Sequence, residues 1–177
     1  INQLDFYGGE PFMSEKMWGT LRKAVELDYA KNIELHYATN CTKWPDDVEI
    51  LKEFRHLNLN FSIDGVHDGF NYMRYPGDWG EAEVTLNKAR EFAKTHPDIH
   101  MSWIITLSTI NIHNLPEIIA EYEEKYSDFG IFLNLVHSPK YYNINILPDG
   151  IKEGVIEKLE SIPKDSFVWT NYLPGVI

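Results

Sequence analysis

Five times along the chain, a short run with apolar residues at every second position gives way to a stretch whose apolar residues recur every three to four. The first period places alternate side chains on opposite faces of a strand, and the second puts them on one face of a helix. Strands are expected near residues 2–7, 33–38, 57–63, 100–107 and 130–136. Ser14 is placed to cap a helix running to about Ala30, with Met17, Leu21 and Val25 on one face. A short helix carries Val48, Leu51 and Phe54, with Pro45 near its start. After the third strand a long loop rich in glycine and aromatics is expected, then a helix with Ala82, Leu86, Ala89 and Phe92. Further helices are expected at 116–126 and 151–159, with an extended piece at Tyr142, Ile144 and Ile146. Such alternation predicts an α/β fold of parallel (β/α) repeats with helices outside the sheet. Right-handed crossovers leave two architectures, an open doubly wound sheet or part of a (β/α) barrel. No breaker-rich linker interrupts the pattern, so residues 1–177 are read as one domain.

Both architectures place ligands at the C-terminal ends of the strands, so the residues there carry the functional argument. The first strand exits into Tyr7-Gly8-Gly9-Glu10-Pro11-Phe12-Met13. Two adjacent glycines leave backbone groups bare, and proline fixes the departing chain. The glycine carbonyls and Glu10 suit an ammonium group, the amine end of a small zwitterion. The second strand exits at Ala38-Thr39-Asn40-Cys41-Thr42, the third at Ser62-Ile63-Asp64-Gly65-Val66, and the fourth near Thr106-Leu107-Ser108-Thr109, with Asn111 just beyond. Small hydroxyls, amides and carboxylates gather at every exit, the pattern of a polar small-molecule site. Thr42 reads as a cap for the helix after Pro45. Ser62 and Asp64 are followed by the expected loop, so capping does not account for them. Thr39 and Asn40 suit either a ligand or the ordering of their own turn. Arg74, in an aromatic loop, suits a carboxylate or stacking on Tyr72 or Tyr75. Trp103 reads as core. Tyr141, Tyr142 and Asn143 suit either a substrate face or packing.

Composition narrows the partners. A net charge of −11 argues against a nucleic-acid groove and against an anionic membrane surface. No apolar stretch approaches the roughly 20 residues of a membrane span, and a cytoplasmic location is expected. The single cysteine, Cys41, excludes a disulfide framework and a thiolate-only metal site within the chain. Among the seven histidines, only His96 and His100 have helical ligand spacing, and Pro97 breaks the helix between them, so no metal ligands are assigned.

Taken together, GGEP after the first strand, the Thr39-Asn40-Cys41-Thr42 segment, Ser62-Ile63-Asp64-Gly65 after the third strand and Tyr72-Met73-Arg74-Tyr75-Pro76-Gly77 beyond it resemble the radical S-adenosylmethionine enzymes. The resemblance covers nearly the whole chain. The YMRYPGDW run and the stretch from His137 to Pro148 are similar to members with a shortened auxiliary "twitch" domain. It implies part of a (β/α)6 barrel and two cofactors, S-adenosylmethionine and a [4Fe-4S] cluster. One electron cleaves the sulfur–C5′ bond, and the 5′-deoxyadenosyl radical abstracts a substrate hydrogen. The cluster loop, CxxxCxxC, follows the family's first strand and is absent here. The chain opens at Ile1 within a strand-like run and closes on Leu173-Pro174-Gly175-Val176-Ile177. It is therefore expected to be a fragment, without that first strand and a C-terminal auxiliary part, its cluster held by cysteines outside this chain.

On this resemblance Gly8, Gly9, Glu10 and Pro11 form the corner for the methionine ammonium. Thr39 and Asn40 border it, Ser62 and Asp64 take ribose hydroxyls or the carboxylate, and Arg74 takes a carboxylate. The catalytic residues and the substrate, a peptide or a small metabolite, are not readable. Flavodoxin or ferredoxin is the kind of reductant implied, and the fragment alone is expected to be inactive. Two other readings stand beside it: a non-radical α/β domain binding a small molecule, and a non-catalytic scaffold. The glycine pair lacks GxGxxG or GxxxxGK[ST] spacing, which weakens a nucleotide reading. A CxxxCxxC about 30 residues upstream, one βα unit, would discriminate.

Overall fold

The structure, a computed structural model, describes residues 1–175; of the closing run, Val176 and Ile177 lie outside the described residues. Strands β1 (Gln3–Phe6), β2 (Glu34–Thr39), β3 (His56–Ser62), β4 (Ile99–Leu107) and β5 (Gly130–Leu135) form one parallel sheet in sequence order. Each expected strand is present within two residues of its expected bounds. An order without reversal is that of a barrel arc, because a doubly wound sheet turns back around its first strand. The register sets Leu4 beside Leu35, Leu35 beside Leu57 and Tyr37 beside Leu59. Leu35, Tyr37, Leu57, Leu59 and Phe61 are fully buried, while Glu34, His36, Asn58 and Asn60 between them are half-buried. One sheet face is thus core and the other polar.

The helices are α1 (Glu15–Glu26), α2 (His67–Met73), α3 (Trp79–Ala93), α4 (Leu115–Lys125), α5 (Asp149–Leu159) and α6 (Phe167–Asn171). Ser14 caps α1 by accepting from the Met17 amide at 3.3 Å. The helix stops at Glu26, short of Ala30, because Asp28 turns left-handed at φ 59°. Val48–Glu53 is a 3₁₀ turn. The expected long loop after β3 is corrected by α2. Its start carries no capping side chain, since Val66 occupies that position, and Gly69 lies within it, so the helix leaves no signal in residue type. Tyr142, Ile144 and Ile146 lie in two 3₁₀ turns, Lys140–Tyr142 and Ile144–Ile146, where Asn143 accepts from the Asn145 amide in place of strand pairing. The unexpected α6 is capped by Ser166, which accepts from the Trp169 amide at 2.9 Å.

The chain divides into two compact units, Ile1–Ser62 with Gly77–Trp103, and Ile63–Pro76 with the chain from Ile104 onward. In the first, Phe12 stacks on Tyr37 at 5.0 Å and Tyr37 on Phe6 at 4.9 Å, fixing the exit of β1 against β2. In the second, Gly65 lets α2 close against the turn that enters it: a Cβ there would stand 2.6 Å from the Gly69 carbonyl carbon. Ile63, Phe70, Ile105, Leu107 and Leu115 bury the core of that unit.

Candidate functional site

In the first unit, the exit of β1 is a corner built on backbone conformation. Gly8 and Gly9 are both left-handed, at φ 81° and 58°. A Cβ on either would meet open space, so conformation and not crowding calls for glycine. Glu10 follows and caps the 3₁₀ turn Pro11–Met13. One carboxylate oxygen accepts from the Phe12 amide at 3.2 Å. The other accepts from the Thr39 hydroxyl at 2.8 Å and the Asn40 amide at 2.9 Å. Glu10 therefore clasps the exits of β1 and β2 with three donors. Pro11 is buried. Thr39 also accepts from the Cys41 amide, and Asn40 Oδ1 accepts from the Thr42 amide and hydroxyl. Both thus order their turn. Thr42 is spent on Asn40 and caps no helix, which corrects its expected role. Cys41 is buried and left-handed at φ 67°. Ser62 closes β3, half-buried.

In the second unit, the exits of β3, β4 and β5 enclose a cleft of about 520 Å³ lined by Asp64, Tyr72, Met73, Thr106, Ser108 and Tyr142, among others. Asp64 is buried in its lining. One oxygen accepts from the Thr106 amide at 2.7 Å, and the other accepts from the Arg74 guanidinium. Burial pushes the Asp64 carboxyl above its ordinary value, while the Arg74 charge and the Thr106 amide pull it down. Arg74 is thus engaged by a carboxylate of its own chain and keeps a buried Nε without a partner. Asp64 escapes helix capping for a reason different from the expected one. A helix does follow, but its cap position is Val66.

This shift has a measurable sign. The folded chain holds the Asp64 proton more tightly than the ordinary 3.8, so stability falls as pH rises through the window above that value. Asp64→Asn is expected to abolish this slope. Thermal unfolding of both proteins from about pH 3 to pH 6 checks it, and parallel curves would show that Asp64 contributes none.

The structure gathers Gly8, Gly9, Glu10, Pro11, Thr39 and Asn40 in one unit, and Asp64 with Arg74 in the other. Trp103 is core. Tyr142 lines the cleft. Sequence reasoning missed the Thr106 amide, which holds Asp64 by backbone and leaves no mark on residue type. It also missed Ile110 and Val136 in the cleft wall, whose only signal is their place just past a strand end.

No protein-family model and no curated protein matches the chain. Solved structures do. One is described as native anSMEcpe with bound AdoMet, an anaerobic sulfatase-maturating enzyme, with 18% identity over 98% of this chain and 47% of that one, at a TM-score of 0.59. The same protein with bound AdoMet and Kp18Cys peptide gives 17% identity, 98% and 48% coverage and 0.59. With AdoMet and Cp18Cys peptide it gives 16%, 79%, 41% and 0.56. The chain spans less than half the length of these relatives. Over that span it has the core fold of the radical S-adenosylmethionine enzymes.

Proposed function

We propose that this chain is the core of a radical S-adenosylmethionine enzyme and contributes the protein side of its cofactor site. The observation that carries the reading is the left-handed Gly8-Gly9 corner at a strand exit, in a fold whose solved relatives hold AdoMet. The chain's own residues fit S-adenosylmethionine and do not fit the cluster. Among the described residues no group of three His, Cys, Asp or Glu is arranged for a metal ion, and Cys41 is buried. A [4Fe-4S] site that leaves one iron open needs three thiolates, so its ligands lie outside this chain. When bound, S-adenosylmethionine supplies on one-electron reduction a 5′-deoxyadenosyl radical for hydrogen abstraction.

The protein's part is binding, orientation and exclusion of water. Bare carbonyls at Gly8 and Gly9 receive the methionine ammonium, with Glu10 adding negative charge beside them. Pro11 fixes the outgoing chain, and Thr39 and Asn40 hold Glu10 in place. Ser62 and Asp64 take ribose hydroxyls or the carboxylate of the cofactor, and Arg74, which pairs with Asp64, turns its remaining donors to a carboxylate. Two solved structures of that one neighbour hold peptides, which favours a peptide substrate over a small metabolite. A small electron carrier such as flavodoxin or ferredoxin would deliver the electron. No helix among the described residues is long and apolar enough to cross a membrane.

Asp64→Ala in the cluster-loaded full-length protein should weaken S-adenosylmethionine binding about tenfold, the effect of losing one or two buried charged hydrogen bonds. Equilibrium dialysis measures it. Unchanged affinity would remove Asp64 from the site.

A further inference from the structure

Asn111 is 2% exposed and lies outside the cleft's lining, yet its amide group is saturated. Its Nδ2 donates to the backbone carbonyls of Asp64 at 2.9 Å and Thr106 at 3.0 Å. Its Oδ1 accepts from the Ser108 amide at 2.8 Å and the Ser108 hydroxyl at 3.0 Å. A side-chain amide offers two donors and two acceptor positions, so all four are used. The carbonyls it holds belong to the exit of β3 and to the last turn of β4. These same two residues also share the Thr106 amide–Asp64 carboxylate bond at 2.7 Å. Asn111 and that bond therefore brace Asp64 from its backbone and from its side chain.

We infer that Asn111 is a positioning residue: it locks the exits of β3 and β4 together so that the Asp64 carboxylate is held toward the cleft. The inference rests on the cofactor-site reading above. No other residue type supplies the same four bonds at this size. Leucine offers none, and aspartate offers acceptors only, facing two carbonyl oxygens. A serine hydroxyl has one donor for two carbonyls. Loss of the donor leaves two buried carbonyls unpaired, which costs far more than the bonds gain.

The test is Asn111→Asp, followed by pH. At pH 8 the variant's carboxylate repels both carbonyls, and S-adenosylmethionine affinity in the cluster-loaded full-length protein should fall by about tenfold or more. As pH drops toward about 5.5, the buried carboxyl takes a proton, one O–H donor returns, and affinity should recover. Asn111→Ala should stay weak at every pH. Asp64, Arg74, His67, Asp68, His113 and Lys152 on the neighbouring elements titrate or carry charge in wild type as well, so the difference from wild type isolates position 111. The second readout is hydrogen exchange at the Thr106 amide, which needs no cofactor. Its protection should be lost in Asn111→Asp at pH 8 and regained in acid. Wild-type affinity of Asn111→Asp at pH 8, or recovery in Asn111→Ala alike, would overturn the inference. If wild type fails to bind S-adenosylmethionine, the functional reading falls. Thr106 protection then decides the positioning role: pH-dependent loss supports it, and unaltered protection refutes it.

Discussion

Treated anaerobically with iron and sulfide, the 177-residue chain is expected to stay colourless and to leave S-adenosylmethionine intact on reduction. The reason is a ligand count. One cysteine is present, and it is buried beneath the turn after β2, with its sulfur 3.5 Å from the Ala82 carbonyl. Three thiolates are required, and no other cluster of metal-ligating side chains is assembled among the described residues. Affinity for S-adenosylmethionine should be weak too, because on the proposed reading a cluster held by cysteines outside this chain would hold the methionine end. A longer chain carrying a CxxxCxxC loop ahead of β1 should turn brown and cleave the cofactor reductively. Iron analysis and the visible spectrum read both outcomes. About four irons per molecule with a [4Fe-4S] spectrum from the short chain alone would place the cluster here and overturn the account.

The sheet was legible because each strand announces itself through side-chain period. Leu57, Leu59, Phe61 and Ile63 alternate without a break, and their burial follows that alternation. The corner was legible as a bare strand exit because adjacent glycines followed by Glu10 and Pro11 carry no bulky side chain; that both glycines are left-handed is visible only in the fold. What failed to show was everything made by backbone or by distant partners. The helix α2 opens on Val66, whose side chain caps nothing, so its start was unmarked. Arg74 suits a carboxylate or an aromatic ring by sequence, but nothing in the sequence pairs it with Asp64 ten residues earlier; only the fold does so. Asn111 stood just past β4 as one more polar residue. Its four bonds to Asp64, Thr106 and Ser108 depend on how two strand ends meet.

Glu10 separates two ways in which a carboxylate can serve such a corner. As a direct partner of an ammonium group, it would act through its charge, and Glu10→Gln and Glu10→Ala would weaken S-adenosylmethionine binding alike. The geometry gives it a prior task. Three donors, the amides of Phe12 and Asn40 and the hydroxyl of Thr39, already converge on its two oxygens. Glutamine keeps one acceptor oxygen, which can serve Thr39 and Asn40 together, and turns an NH2 toward the Phe12 amide, so one bond of three is lost. Alanine loses all three and leaves the Gly8-Gly9 carbonyls without a fixed frame. The expected result is graded: Glu10→Gln weakens binding about tenfold, and Glu10→Ala about a hundredfold, close to 2.7 kcal/mol. Dialysis against S-adenosylmethionine with the cluster-loaded full-length protein measures both, and hydrogen exchange at the Asn40 amide reports the frame. Equal losses in the two variants, with Asn40 still protected in Glu10→Ala, would assign Glu10 to the ligand alone. Wild-type affinity in Glu10→Ala would leave the corner without a role for its carboxylate. A graded loss that tracks Asn40 protection makes Glu10 the residue that shapes the site before the cofactor arrives, with the left-handed glycines as the surface it presents.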